Sequence, residues 1–407
     1  MKKIFLIITA AAAFGVQAQS TDELELLKKQ LSDLSAKVAQ MEKDNSAKIA
    51  QLEKDSNAKS WSIEQLQAEG KKDEAASWAN NIKLTGDIRA RYENREVDNE
   101  TAKDRQRIRL RAGAYGKVND QVDFGVRLAT GGSRTSSNQD MDGSGSMKDI
   151  YLDQAYIDYH PDQQIPGMHA FIGKMPQPWM AAGSGLVWDS DLNPEGVAVT
   201  YEKQLTPFKL KANAGTFVME DEQGDDIQLW AGQVAGEKQF SNGHTLTLGM
   251  SDYYFENADS KNLTGILNAK SANTAGGDFH LVEGFASYAF MVAKLPVRLD
   301  GQYVVNVDAA DSDEDTAYLA GITIGKAKDP GTWEVGYSWR EIGNDAVVGG
   351  LNDSDFAGET WTGCYGHVFK GKYQIMKNMS ADLAYILSTD WQGRDANTLQ
   401  ADLNFKF

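Results

Sequence analysis

Four arginines, Arg105, Arg107, Arg109 and Arg111, occupy alternate positions in one short stretch. Ile108, Leu110, Ala112 and Ala114 fill the positions of opposite parity. A guanidinium is permanently charged and planar, and it grips carboxylate or phosphate through two parallel hydrogen bonds. A row of them on one face is therefore either a bank of positive charge that draws anions or a structural set paired with acids. Arg89 and Arg91 repeat the spacing upstream and Arg127 has the same parity downstream, with Asp87 and Asp123 as acids available for pairing. The sequence leaves both readings open.

The segment 174–195 is the natural counterpart. It is long and carries Asp189, Asp191 and Glu195 beside Trp179 and Trp188. It is expected to fold inward as a constriction loop and set carboxylates opposite the arginines, an ordinary outward loop being the alternative. Asn138, Asp140, Asp142 and Gly143, with Asp149 at the twelfth position, echo a calcium loop. Asn in first place, Asp in last and no flanking helices argue instead for a solvated acidic loop, so no metal site is assigned. His160, His169, His244, His280 and His367 have no metal-ligand spacing, and neither G-x-S-x-G nor a P-loop occurs. No enzyme activity and no cofactor are expected. The single cysteine, Cys364, forbids an intrachain disulfide, and a net charge of −17 speaks against nucleic-acid binding.

The elements that carry these residues alternate with a period of two from about Asn81 onward. Ile82, Leu84, Ile88, Ala90 and Tyr92 are set against Lys83, Thr85, Asp87, Arg89, Arg91 and Glu93. Val122, Phe124, Val126 and Leu128 are set against Asp123 and Arg127, and the pattern recurs through Trp333-Val335-Tyr337-Trp339 to the chain's end. One apolar and one polar face per strand is what a strand between two solvents requires. Joins after even strands are short, near Asn119-Asp120, 162–167, 205–207, Asn242-Gly243, 294–296, 329–331 and 370–378, whereas joins after odd strands, such as 130–149, 174–195, 257–277 and 341–359, are long and rich in Gly, Asp, Ser and Asn. Short turns at one end and long external loops at the other mark a transmembrane β-barrel, here of about 16 antiparallel strands over residues 79–407. In that geometry all seven arginines point into the lumen. Leu399, Ala401, Leu403, Phe405 and Phe407 close the sequence as one alternating strand ending on an aromatic. Such an end looks like the signal that barrel assembly machinery reads, with Phe407 at its core.

Residues 19–78 differ. They hold no Pro and one Gly, and abound in Ala, Lys, Glu, Gln and Leu. Leu24, Leu27, Leu31, Leu34, Val38 and Met41 fall at heptad a and d positions, and residues 37–47 recur as 48–58. An eleven-residue period relaxes a left-handed supercoil toward straight. The stripe is narrow and its flanks charged, so an α-helical coiled coil between copies is expected ahead of the barrel. Before it, Lys2 and Lys3 precede an apolar run from Ile4 to Val16 and a small-residue site, Val16-Gln17-Ala18. That run is shorter than the roughly 20 residues of a spanning helix, so residues 1–18 read as a signal peptide.

The chain resembles the putative porins of Gram-negative outer membranes and, more distantly, the phosphate-selective porins. The resemblance lies in Lys83–Tyr92, Arg107–Gly113, Asp153–Tyr159, Gly173–Trp179 and Leu186–Gly196. It implies passive diffusion of small hydrophilic solutes or ions through a water-filled channel in the bacterial outer membrane, with a trimer as the favoured homo-oligomer and outer-membrane lipid around it. The solute is not named by it, and no binding residue carries over. A structural tether, holding the membrane to peptidoglycan through a periplasmic coiled coil, is the alternative.

Overall fold

The computed structural model describes residues 21–68, 81–183, 185–221, 226–258, 271–274, 277–359 and 361–407. The signal peptide expected over residues 1–18 lies outside them. The chain divides into two compact units, Met1–Ser77 and Trp78–Phe407. In the first, one helix, α1, runs over Thr21–Ala68, which is 48 residues. Leu34, Val38, Met41, Ile49 and Leu52 stand exposed along it.

The second unit is one antiparallel sheet of β1 (Ile82–Val97), β2 (Lys103–Asn119), β3 (Val122–Thr130), β4 (Gln139–Asp140), β5 (Ile150–Tyr159), β6 (Met168–Lys174), β7 (Glu195–Leu205), β8 (Phe208–Glu220), β9 (Ile227–Gln239), β10 (Thr245–Glu256), β11 (Phe279–Val292), β12 (Leu295–Asn306), β13 (Thr316–Gly325), β14 (Trp333–Ile342), β15 (Cys364–Met376), β16 (Met379–Thr389) and β17 (Asp395–Lys406). The two-residue β4 pairs with β2 at Arg107 and Ile108. The other sixteen form the wall, each beside its neighbour in sequence, and β1 closes the cylinder by pairing with both β2 and β17. Closure satisfies every edge, which a strand structure in lipid requires. At the seam Phe407 N–H donates to Gly86 O at 3.0 Å and Gly86 N–H to Phe407 O at 2.9 Å. A Cβ on Gly86 would lie 2.5 Å from Phe407 Cζ, so glycine makes room for the terminal ring.

The outward face is apolar, as at Leu84, Ile88, Val126, Leu128, Ile157 and Ile172, which are all exposed. Aromatic residues gather toward the long-loop end (Tyr92, Trp230, Tyr254, Tyr303, Tyr318) and the short-turn end (Phe208, Trp333, Tyr373, Phe405), the two girdles of a membrane barrel. One turn is shorter than expected. The 370–378 join reduces to Lys377-Asn378, because β15 extends to Met376. Lys370, Lys372 and Gln374 keep the parity opposite to the exposed Phe369 and Tyr373, so the alternation continues through them.

The interior is of two kinds. Around β1, β2 and β17 it is lined by charge. Around β8 to β13 it is apolar: Phe217, Leu229, Tyr253, Phe255, Leu281, Val304 and Leu319 are buried and join one cluster with residues of two loops.

Candidate functional site

Strand register stacks the arginines. Arg89 lies opposite Arg109, Arg91 opposite Arg107 and Glu93 opposite Arg105 across β1 and β2. Like charges so close need counter-charges, and the structure supplies them. Arg91 makes a two-pronged contact with Asp402, Nε to Oδ1 at 2.8 Å and Nη2 to Oδ2 at 2.9 Å, and a third bond to Asp355 at 3.1 Å. Arg105 binds Glu93 and, at 3.0 Å, Glu359. Arg107 meets Asp140 at 2.7 Å and Arg109 meets Asp87 at 2.8 Å. Arg111 takes Asp87 at 2.7 Å and Asp191 at 3.4 Å, and Arg127 pairs with Asp153. Arg95, which the sequence reading passed over, pairs with Glu359 at 2.6 Å; its parity with Arg89 and Arg91 was the available signal. The ladder is therefore an inward row of arginines that is heavily paired with carboxylates. Asp123 is a correction: it faces His160 at 3.4 Å, near the turn after β5, while Arg127 is taken by Asp153.

The segment 175–194, between β6 and β7, folds into the barrel. Trp179 stacks on Trp188 with centroids 5.9 Å apart and meets Phe217 and Tyr253 edge-on at 5.1 and 5.5 Å. Met175, Leu186 and Val187 are buried beside them. Gln233 on β9 fixes the loop by both accepting from Met180 N–H and donating to Met180 O, each at 2.8 Å. This anchoring carries Asp189 and Asp191 toward the arginines. Glu195 does not join them. It opens β7, is exposed and pairs with Lys174 at 2.6 Å.

The loop 343–363, between β14 and β15, also folds inward, against the expectation of an external loop at 341–359. Its cause is the apolar run Ala346, Val347, Val348 and Leu351, with Phe356, all buried in the same interior cluster. That run, in a stretch otherwise rich in Gly, Asn and Asp, was the signal in the sequence. Arg340, 1 % exposed, anchors the loop: its guanidinium binds Asp353 at 2.7 Å and lies 4.5 Å from the Phe356 ring centre. Three loops are then tied together. Asp189 N–H donates to Leu351 O at 2.7 Å, and Ser354 N–H to Asp189 Oδ2 at 3.0 Å. Ser354 Oγ donates to Thr135 O, in the loop after β3, at 2.9 Å. The positions that echoed a calcium loop are engaged otherwise: Asn138 accepts from Arg89, Asp140 pairs with Arg107 and Asp142 with Lys148 at 2.6 Å. No group of potential metal ligands is found among the described residues.

Three cavities follow one another between wall and loops. One of about 450 Å³ lies toward the long loops and is bounded by Ser136, Tyr151, Asp191 and Glu220, among others. One of about 490 Å³ lies deeper, among Arg89, Arg298, Glu334, Lys370 and Asp402. Between them a neck of about 70 Å³ is lined by Arg89, Arg109, Ser136, Asn138, Asp189, Asp191, Asp353 and Asp355. Ser136 and Asp191 are shared with the first cavity, and Arg89, Ser190, Asp353 and Asp355 with the second. A neck of that size has room for only a few waters. Its acids differ. Burial and then the nearby Asp353 carboxylate push Asp189 well above the usual carboxylate range. Burial alone would also raise Asp191 and Asp355, but Arg109 and Arg111 hold the first below that range and Arg91 the second.

The family comparison decides what kind of barrel this is. A family described as putative porin matches residues 95–283 and 288–407. The chain belongs to the putative porin family. OprB of Pseudomonas putida, in its high-pH structure, is similar with a TM-score of 0.55 and 12 % identity, over 83 % of this chain and 97 % of that one. Salmonella typhi OmpF, in complex with daunomycin, is similar with a TM-score of 0.51 and 12 % identity, over 80 % and 98 %. At that identity the likeness concerns the fold alone. No curated protein matches the chain. As a putative porin of closed sixteen-strand architecture, the protein is an outer-membrane channel.

Proposed function

We propose that this putative porin passes small hydrophilic solutes or ions down their gradients, through the neck between the arginine wall and the two infolded loops. The observation that carries this reading is the serial arrangement of the cavities, which share lining residues on each side of the neck. Loop packing fills the lumen beside β8 to β11, so the route passes against β1 and β2 at the neck and against β12 to β17 in the deeper cavity. Selectivity then comes from neck size and charge. Arg89, Arg91, Arg105, Arg107, Arg109, Arg111 and Arg127 supply the positive wall, and Asp189 and Asp191 the facing acids. Purified protein in a planar bilayer tests it: ohmic steps support a channel, and a silent barrel removes the reading.

The N-terminal parts fit this function. Residues 1–18 direct export, and Phe407 presents the assembly signal. The exposed stripe on α1 pairs with sister copies as a periplasmic coiled coil, because one narrow apolar stripe cannot be buried by its own helix. A trimer is the favoured number. The tether reading draws on the same helix and predicts retention of residues 19–78 on purified peptidoglycan, which a plain oligomerisation helix lacks.

A further inference from the structure

Arg89 is the exception on the wall. Among the described residues, the other inward arginines of β1 to β3 each have a carboxylate within hydrogen-bond reach, whereas the carboxylate recorded beside Arg89 is Asp402 at 3.7 Å. Asp402 is already held by both prongs of Arg91. Arg89 Nη2 donates to the neutral amide oxygen of Asn138, and its buried Nε has no partner. This least neutralised cation lines both the neck and the deeper cavity. The acids around it are spoken for. Asp191 is engaged by Arg111, Asp355 by Arg91 and Asp353 by Arg340, while Asp189 accepts backbone N–H groups from Asp191 and Ser354. An incoming anion therefore meets one under-compensated guanidinium among carboxylates that already have their own partners.

We propose that Arg89 is an oxyanion-binding residue of the neck, where a carboxylate or phosphate group pauses as it crosses. The inference rests on the channel reading above and deepens it by naming the residue and the solute chemistry. A guanidinium in a narrow, low-dielectric tube binds such groups by charge-assisted hydrogen bonds about twice as strong as neutral ones. The hydroxyls of Ser136 and Ser190 line the same space and can donate to a bound oxygen. Asn138 holds the guanidinium from the loop side, so the site is positioned before a solute arrives.

The test is single-channel recording of the full-length protein in potassium chloride, with potassium acetate or inorganic phosphate added in separate arms. The expected result is a saturable fall in chloride current with at least one oxyanion, and the arm that shows it names carboxylate or phosphate. Arg89→Gln should raise the half-blocking concentration about ten-fold, and Arg89→Lys, which keeps the charge but loses the planar fork, should raise it less. Arg394→Gln, on a residue paired with Asp390 and Glu100 and outside the lining of all three cavities, serves as control and should leave block unchanged. Heat-modifiable migration on gels checks that each variant is a folded barrel, and Arg89→Lys carries the comparison should Arg89→Gln not assemble. A conducting wild type without block, or equal block in wild type and the Arg89 variants, overturns this site and spares the channel. A wild type that conducts nothing overturns both.

Discussion

Ser354 and Asp189 form a clasp between two loops far apart in sequence: the serine N–H donates to Asp189 Oδ2 at 3.0 Å. Asp189 is 6 % exposed and is held by backbone groups rather than by a cation. Its ionisation is opposed by burial and by Asp353.

The pH dependence follows from that opposition. A carboxyl whose folded value lies above the ordinary 3.8 favours the folded arrangement while protonated, and that contribution is lost as pH rises through the folded value. Burial and the Asp353 carboxylate thus favour the protonated form, against the N–H bonds of the clasp, which favour the carboxylate. Raising pH from about 4 to about 8 should add negative charge at the neck and shift reversal potentials toward cation preference. Asp189→Asn should flatten the shift. A wild-type reversal potential that stays constant across this range would show that Asp189 does not titrate beside the ion path.

Neutralising Arg107, Arg109 and Arg111 together with glutamine should also move the channel toward cations. Asp87 loses both of its guanidinium partners and Asp191 is left with less compensation, so unpaired carboxylates remain at the neck wall. Reversal potentials in a salt gradient read the change. An unchanged value with intact conductance places these side chains away from the permeating ions.

Arg340 holds the second infolded loop. Removing one partner of a fully buried, hydrogen-bonded pair costs about 3–5 kcal/mol; Arg340→Ala should cost less, because Asp353 is half-buried, and it would leave Asp353 without its cation and Phe356 without its stacked guanidinium. The barrel hydrogen bonds are untouched, so the effect should appear as faster proteolysis within 343–363 and noisier, larger conductance. Identical cleavage rates in variant and wild type would count against this anchoring.

Deleting residues 21–66 should weaken the oligomer and leave a heat-modifiable barrel, because strand pairing closes within each chain. Crosslinking before and after deletion measures it. Monomers in the intact protein, or equal oligomer stability without the helix, would assign α1 another task, with peptidoglycan pull-down as the next measurement.

The wall was legible because its rule is local. Leu84 and Ile88 face outward and Asp87 and Arg89 inward by parity alone, and the Asn119-Asp120 and Asn242-Gly243 turns lie where the strands reverse. The partners inside the lumen were not legible in this way. Arg91 meets Asp402 and Asp355 across large sequence separations, and only barrel closure and loop docking bring them together. The same holds for Glu195, whose proximity to Asp191 in sequence suggested a shared role until β7 claimed it. Trp179 and Trp188 stand in the first loop, where they pack on Phe217 and Tyr253. Val347, Val348 and Leu351 gave a signal for the infolding of the second, masked by the glycines and acids around them.

The burial of two loops against β8 to β13 has a consequence for how such channels diversify. The lipid-facing surface and the arginine side of the neck share the strands, whereas the facing side of the neck is written in separate stretches of chain. Exchanging 175–194 or 343–363 for a loop of similar apolar footing could alter what passes while every strand register, and the seam at Gly86 and Phe407, stays as it is. The neck acids Asp189, Asp191, Asp353 and Asp355 travel with those loops, so bore and charge would change together in a single exchange.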